Sequence, residues 1–181
     1  MSDPSPSAMS DGNTTPVLPA LEMRPLHEGD LPQILRLDER AFGPGRFART
    51  AYRLREHVAP DFSLSFVAHV GTFLVGSNIM TPIRAGAVPA LLLGPLTVDP
   101  SFRSRGIGEA LIRRSLRVAR EAGHTLVFLV GDAPFYGRVG FKQVRPGLLT
   151  MPGPVDPARL LVCELVEGAL DNVSGTIGRA W

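Results

Sequence analysis

Leu96-Thr97-Val98-Asp99-Pro100-Ser101-Phe102-Arg103-Ser104-Arg105-Gly106-Ile107-Gly108-Glu109 is the stretch on which the reading of this chain turns. An apolar segment, Pro89 to Leu93, runs into it through Gly94-Pro95, and an amphipathic segment runs out of it to Ala122. The pattern is strand, loop, helix. Two glycines and two arginines stand where the helix begins. Backbone N–H groups in a first helical turn have no intrahelical partner, and the helix dipole adds partial positive charge there. Gly106 and Gly108 remove side-chain bulk, so ligand oxygens can approach the backbone closely. A phosphate or pyrophosphate suits such a place, and Arg103 and Arg105 offer charge-assisted contacts. A lone tight loop needs one glycine; a second in a first turn costs helix stability and asks for a reason.

Two common phosphate motifs do not fit. A dinucleotide fingerprint wants a third glycine and an acidic residue about 20 positions on; here Leu111 holds the glycine position and residues 126–130 are apolar. A nucleotide-hydrolase loop wants Gly-Lys-Ser/Thr, and the chain's single lysine is Lys142. The run Leu96-Thr97-Val98-Asp99-Pro100 followed by Arg103-x-x-Gly106-x-Gly108 resembles the acyl-CoA signature of the GNAT superfamily of N-acetyltransferases. Pro134-Phe135-Tyr136-Gly137-Arg138-Val139-Gly140-Phe141 is similar to that superfamily's Tyr-x-x-x-Gly-Phe element. The resemblance spans about residues 22–166, with its specific motifs in 94–141.

Length and composition bound the answer from the other side. The chain has 181 residues, which suits one domain, and 44% of them are hydrophobic, enough for a substantial core. Net charge is +2, carried by 18 Arg and one Lys, too little to argue for nucleic acid or a membrane surface. Cys163 is the single cysteine, so neither an internal disulfide nor a metal cluster is expected; it lies in an apolar run and reads as a small buried hydrophobe. No stretch approaches the roughly 18 apolar residues of a membrane span, and Met1-Ser-Asp-Pro-Ser-Pro has neither a basic n-region nor an apolar h-region. The expectation is a cytoplasmic protein without nucleic-acid or membrane partners, monomeric or homodimeric.

In chain order, residues 1–20, rich in Ser, Pro, Asp, Gly and Thr, are expected to be a disordered tail, with one domain over 21–181. Glu22 to Leu26 reads as a strand. Asp30 reads as an N-cap for a helix patterned by Leu31, Ile34, Leu35 and Phe42, broken at Gly43-Pro44-Gly45. A second helix is expected from Phe47 to Val58. Ser65–Val70 and Thr72–Met80 read as a hairpin around Gly71, and Ile83–Val88 as a loop. Pro89 to Val98 is apolar enough for burial on both faces. The helix from Arg105 to Ala122 turns Ile107, Leu111, Ile112, Leu116 and Ala119 to one side, with Gly123 as its C′ residue. Thr125 to Val130 is the next strand. Strand, helix, strand with short links implies a parallel pair, whose ligands sit beyond the strands' carboxyl ends. Asp132 reads as N-cap of a short helix ended by Gly140. Phe141–Val144 reads as a strand, Arg145–Pro157 as a loop and Arg159–Val166 as a strand, with a further short strand at Thr176-Ile177. The fold class is α/β: a mixed, mostly antiparallel central sheet with a parallel strand pair and helices on both faces. The resemblance implies the same, and implies that the parallel pair splays.

The resemblance also implies a reaction, acetyl transfer from the cosubstrate acetyl-CoA to an amine, and roles for particular residues. The pyrophosphate would lie on the loop Arg103, Ser104, Arg105, Gly106, Ile107, Gly108 and Glu109. The pantetheine arm would pair with the backbone of Leu96 and Val98 like an added strand, with Val98 N–H as a minimal oxyanion donor. Tyr136 matches the family's usual general acid: a phenol near pKa 10 can protonate a CoA thiolate, whose nearest side-chain analogue titrates near 8.5. Arg138 either steers phosphate or is solvated. Many relatives carry a basic carboxylate or imidazole on the strand before the signature, but Ala90-Leu91-Leu92-Leu93-Gly94-Pro95 has nothing titratable. Glu39, Glu56 and His57 lie on the helices that usually frame the acceptor, and each reads first as surface charge. Asp132 is explained as a cap; His69 and His124 have no partner pattern. The acceptor is an amine of a small molecule or a protein. A catalytically silent acyl-CoA-binding module is the alternative, and transfer to a hydroxyl a third reading.

Overall fold

The computed structural model describes residues 20–45 and 50–180. The expected tail, apart from Ala20, the start of the second helix and Trp181 fall outside them. In chain order the elements are β1 (Leu21–Pro25), α1 (Leu31–Phe42), α2 (Thr50–Arg55), β2 (Phe66–Val70), β3 (Phe73–Ala85), β4 (Val88–Val98), α3 (Ile107–Glu121), β5 (Leu126–Val130), α4 (Ala133–Gly137), β6 (Lys142–Gln143), β7 (Leu149–Thr150), β8 (Leu160–Glu164) and β9 (Gly175–Arg179). The main sheet runs β1-β2-β3-β4-β5-β8-β6, with β9 on β3 and β7 on β9. The β4–β5 and β7–β9 pairs are parallel and the others antiparallel. No described helix is long and apolar enough to cross a membrane.

Alternation along the strands puts helices on opposite faces. Phe66, Ala68 and Val75 pack with Ile107 and Leu111 of α3, while Val67 and Ile79 pack with Ile34 and Leu37 of α1. The central strands behave the same way. Leu91, Leu93, Val127 and Leu129 meet Ile112, Leu116 and Ala119; Leu92, Leu126 and Phe128 meet Leu54 of α2. This two-sided burial explains the unbroken apolar runs. The five α3 side chains expected to face the sheet are all buried, the four Ile and Leu among them contributing ~1.5–3 kcal/mol each. Glu109 pairs with Arg113 on the outer face at 2.7 Å, and Gly123 and His124 donate back to Arg120 and Ala119, closing the helix.

The Ile83–Val88 loop is a correction. β3 runs on through Ala85, and only Gly86 and Ala87 separate it from Val88. Ile83 and Ala85 are buried, and β9 pairs with residues 83–85 along the edge that β2 has left free. A partner more than 90 residues downstream leaves no local signal. The same partner converts part of the expected 145–157 loop into β7. Asp30 does stand at the N-cap of α1, yet its carboxylate makes no cap bond. Its oxygens instead accept both Arg24 nitrogens, at 2.7 Å each, and the His27 N–H at 2.9 Å. The Arg24 hydrogen bonds hold its carboxyl below the usual range against the opposing effect of burial. Asp30 thus ties β1 to α1.

Candidate active site

The site begins where β4 and β5 part. Their pairing covers only Leu91–Val127 and Leu92–Phe128, while β5 stays paired with β8 along its whole length, to Val130. Beyond Leu92, β4 therefore leaves its parallel neighbour. On its other edge it keeps β3, with Leu96 opposite Asn78 and Val98 opposite Gly76. Asp99 N–H donates to Val75 at 2.8 Å, so Asp99 and Thr97 direct their backbone groups at β3. By strand alternation Leu96 and Val98 direct theirs the other way, into the gap. These are the two residues whose backbone the family resemblance singled out.

Facing the gap is the start of α3. Gly106 is its N-cap, with φ +76°, and its carbonyl takes the first helical bond, from Ala110 N–H at 3.0 Å. The N–H groups from Ile107 to Glu109 precede that bond and have no intrahelical partner. The two glycines serve different ends. Gly106 occupies a left-handed conformation, with nothing within 4 Å of where a Cβ would stand. At Gly108 a Cβ would point between Leu96 Cδ2 and Val98 Cγ2, 3.5 Å from each, and Phe135 Cζ at 3.7 Å. That space belongs to a cavity of about 580 Å³ lined by Leu96, Val98, Arg103, Ser104, Gly106, Ile107, Gly108 and Glu109, together with Phe135 and Arg138. Of the predicted loop residues only Arg105 is not part of that lining; its guanidinium lies 5.1 Å above the Phe102 ring. Arg138 faces the cavity while lying over Phe135.

A second cavity, of about 470 Å³, lies end to end with the first along β4; both touch Phe42 and Leu96. Gly94 and Pro95, joined by a cis peptide, form part of its wall. Tyr136 lines it from α4. The ring is held edge-on by Phe135 and Phe141, with centroids 4.9 and 5.8 Å away. It also lies close against Gly131, where a Cβ would come within 2.8 Å of Tyr136 Cδ2 and closer still to Cε2. Burial pushes the phenol up to about 12; Asp132 adds to the rise and Arg55 and Arg159 oppose it. Asp132, expected to cap α4, makes no cap bond and pairs with Arg159 at 3.2 Å.

The candidate bases do not converge here. Glu39, Glu56 and His57 are exposed and line neither cavity; Glu56 pairs with Arg179 at 3.3 Å. His69 borders a separate depression beside Glu22 and Arg24. Among the described residues no group of His, Cys, Asp and Glu has a metal-holding arrangement. Sequence reasoning missed Arg55, which lines the second cavity, and Gly131. Arg55 stood in a short stretch read only as helix, and Gly131 at the start of the short helix that opens with Asp132. Neither carries a spacing signal.

Comparison with known proteins gives the family. Residues 22–144 match the family model described as an acetyltransferase (GNAT) domain. The uncharacterized N-acetyltransferase YhbS of Escherichia coli strain K12 is 27% identical over 150 residues, spanning 82% of this chain and 89% of that protein. The crystal structure of E. coli YhbS in complex with CoA superposes with a TM-score of 0.77 at 25% identity, over 92% of each chain. A Brucella melitensis GNAT family acetyltransferase in complex with acetyl-CoA gives a TM-score of 0.60 at 26% identity, over 84% of this chain and 99% of that one. The arrangement is that of an acetyltransferase. The chain belongs to the GNAT family.

Proposed function

We propose that the protein transfers an acetyl group from acetyl-CoA to an amine. The observation that carries this reading is the unpaired backbone of Leu96 and Val98 in the gap between β4 and β5, facing the glycine-bearing start of α3. A β-strand-like ligand arm fits an exposed strand edge, and a pyrophosphate fits free N–H groups at a helix start. The cavity of about 580 Å³ that Gly108 lines leaves room for both.

In this reading Arg103, Ser104, Arg105, Gly106, Ile107, Gly108 and Glu109 bind the pyrophosphate, and Arg138 adds a cation at the cavity's rim. Leu96 and Val98 hold the pantetheine arm. Val98 N–H, fixed in direction by the β3 ladder, stabilises charge on the thioester oxygen as the amine attacks. Tyr136 supplies the proton for the departing thiolate. Burial keeps its phenol protonated across the working pH range. The attacking amine loses its proton to water or to an acidic group at the second cavity, where Asp132 and Asp156 stand.

Acetyl-CoA is expected to raise the melting temperature. A ligand specific for the folded state adds ~2.7 kcal/mol at a hundredfold excess over Kd, roughly 5–10 °C for a chain of this size. NAD and ATP at the same concentration are expected to do much less, and equal shifts from all three would remove the acyl-CoA assignment. Release of CoA thiol against an amine panel then tests transfer. The bare strand Ala90–Pro95 and the distant Glu39, Glu56 and His57 favour one competing reading, a silent acyl-CoA-binding module, which predicts tight binding and no thiol release with any amine.

Gly131→Ala is expected to lower kcat at least tenfold with little change in acetyl-CoA affinity. The new methyl group cannot coexist with the Tyr136 ring in its present place, and a displaced acid loses its positioned proton transfer. Steady-state thiol release beside calorimetric titration checks this; an unchanged kcat would separate Tyr136 placement from turnover.

A further inference from the structure

The second cavity holds a cation that the protein leaves unanswered. Arg55, at the end of α2, is half-buried as a residue, but its Nε is closed to solvent and has no hydrogen-bond partner. Among the described residues its guanidinium makes no hydrogen bond and no ion pair; what it touches are the Tyr52 ring, 5.1 Å from the centroid, and the Gly94 backbone of β4. Buried arginines ordinarily have carboxylate or carbonyl partners, because an unpaired charge away from water is costly. Burial lowers this guanidinium to about 10, which leaves it a cation at neutral pH.

The other charges of this cavity are already engaged or lie at the rim. Arg159 and Asp132 pair with each other, and both are well exposed. Asp156 is exposed and accepts the Ala158 N–H at 2.9 Å. Asp38, near enough to favour the Arg55 charge, accepts the Thr97 hydroxyl and does not line the cavity. The inner wall, between Gly94 and Tyr136, is therefore positive, with planar donors open to the cavity. A guanidinium of this kind prefers a carboxylate, which it can take in bidentate fashion.

We propose that the acceptor is an amine carrying a carboxylate close to its nucleophilic nitrogen, an amino acid or a compound of that size, and that Arg55 binds the carboxylate. This rests on the acetyl-transfer reading above and names the substrate class of the same site. Proximity follows from the structure: Arg55 packs on β4 two residues before Leu96 and lies close enough to Tyr136 to act on its phenol. An anion held there leaves the neighbouring nitrogen beside the strand gap. A cavity of about 470 Å³ is ample for such a molecule.

The test compares matched pairs. Glycine, leucine, glutamate, β-alanine and 4-aminobutyrate are each assayed beside the corresponding amide, reading thiol release from acetyl-CoA. In parallel, the N-acetylated acids and their amides are titrated calorimetrically into the CoA-loaded protein, a readout that needs no turnover. The wild type is expected to favour at least one acid over its amide by tenfold or more in kcat/KM and in affinity. Arg55→Gln is expected to remove that preference by raising KM for the acid far more than for the amide; Arg55→Lys is expected to retain part of it. Amides used or bound as well as acids by the wild type would overturn the assignment, whatever the variants do. So would an equal loss on both members of a pair in Arg55→Gln, which would mark Arg55 as a residue of the reacting centre or of the fold. Acid-selective binding without thiol release would sink the transfer reading and leave the carboxylate site standing. Thiol release without acid selectivity would do the reverse.

Discussion

Gly108→Val is expected to weaken acetyl-CoA binding at least a hundredfold while leaving the fold intact. The argument separates what the substitution does to the protein from what it does to the ligand. A Cβ at this position meets Leu96, Val98 and Phe135 side chains at 3.5–3.7 Å, ordinary contact distances. In a helix valine is favoured over glycine by a few tenths of a kcal/mol. The backbone is helical there, so no left-handed conformation is strained, in contrast to Gly106 at φ +76°. The valine side chain would take up space among Leu96, Val98 and Phe135, all of which line the cavity, beside the N–H groups at the start of α3. Hydrogen bonds to a charged ligand are worth ~1.5–3 kcal/mol each, so losing two corresponds to roughly 10²–10⁴ in Kd. Calorimetric titration with acetyl-CoA measures the loss, and circular dichroism with thermal melting checks the fold. Unchanged affinity would mean that the start of α3 is not where the phosphates bind.

The parts of this site that rest on backbone were legible in the sequence, and those that rest on distant side chains were not. Gly106 and Gly108 announce themselves because their cost inside a helix start demands a reason, whereas Leu96 and Val98 were picked out only by the motif position that the family resemblance supplies. The face of α3 was legible for the same kind of reason, since period 3.6 is written in one continuous segment. Arg55 is the contrary case. Its meaning depends on Gly94, nearly 40 residues away, and on its guanidinium making no ion pair among the described residues, neither of which a local pattern records. Asp30 shows a milder form: its position was that of a cap, but Arg24 of β1 outcompetes the helix N–H groups for its oxygens. Ile83 to Ala85 failed because β9 arrives from the far end of the chain. Glu39, Glu56 and His57 were placed near the acceptor by their helices, and the structure turns all three outward.

Tyr136→Phe is expected to lower kcat at least tenfold and to leave acetyl-CoA affinity almost unchanged. The ring is what the fold holds: it lies on Gly131 and meets Phe135 and Phe141 edge-on. Phenylalanine keeps each of those contacts and removes only the hydroxyl. Among the described residues that hydroxyl makes no hydrogen bond, so its loss orphans no partner and costs the fold little. What remains is chemistry. Burial first, and Asp132 second, push the phenol to about 12, so it carries its proton wherever the enzyme works. The same poorly solvated cleft disfavours a bare thiolate, which makes a positioned donor valuable there. Proton transfer by a positioned acid contributes ~10²–10⁴-fold, and the expected loss is set at the lower bound of tenfold because solvent can reach the second cavity and substitute in part. The missing interaction belongs to the transition state, so kcat and kcat/KM should fall together. The phenol also sets a sign for pH: with a pKa raised above 10, it contributes no alkaline limb to wild-type kcat below pH 10, and its stabilising effect on the fold is lost only as pH rises from about 10 towards 12. Thiol release across pH for both proteins, with calorimetric binding alongside, measures all of this. Wild-type kcat in the variant would take Tyr136 out of the mechanism, and a parallel loss of binding would make it a wall of the cosubstrate cleft.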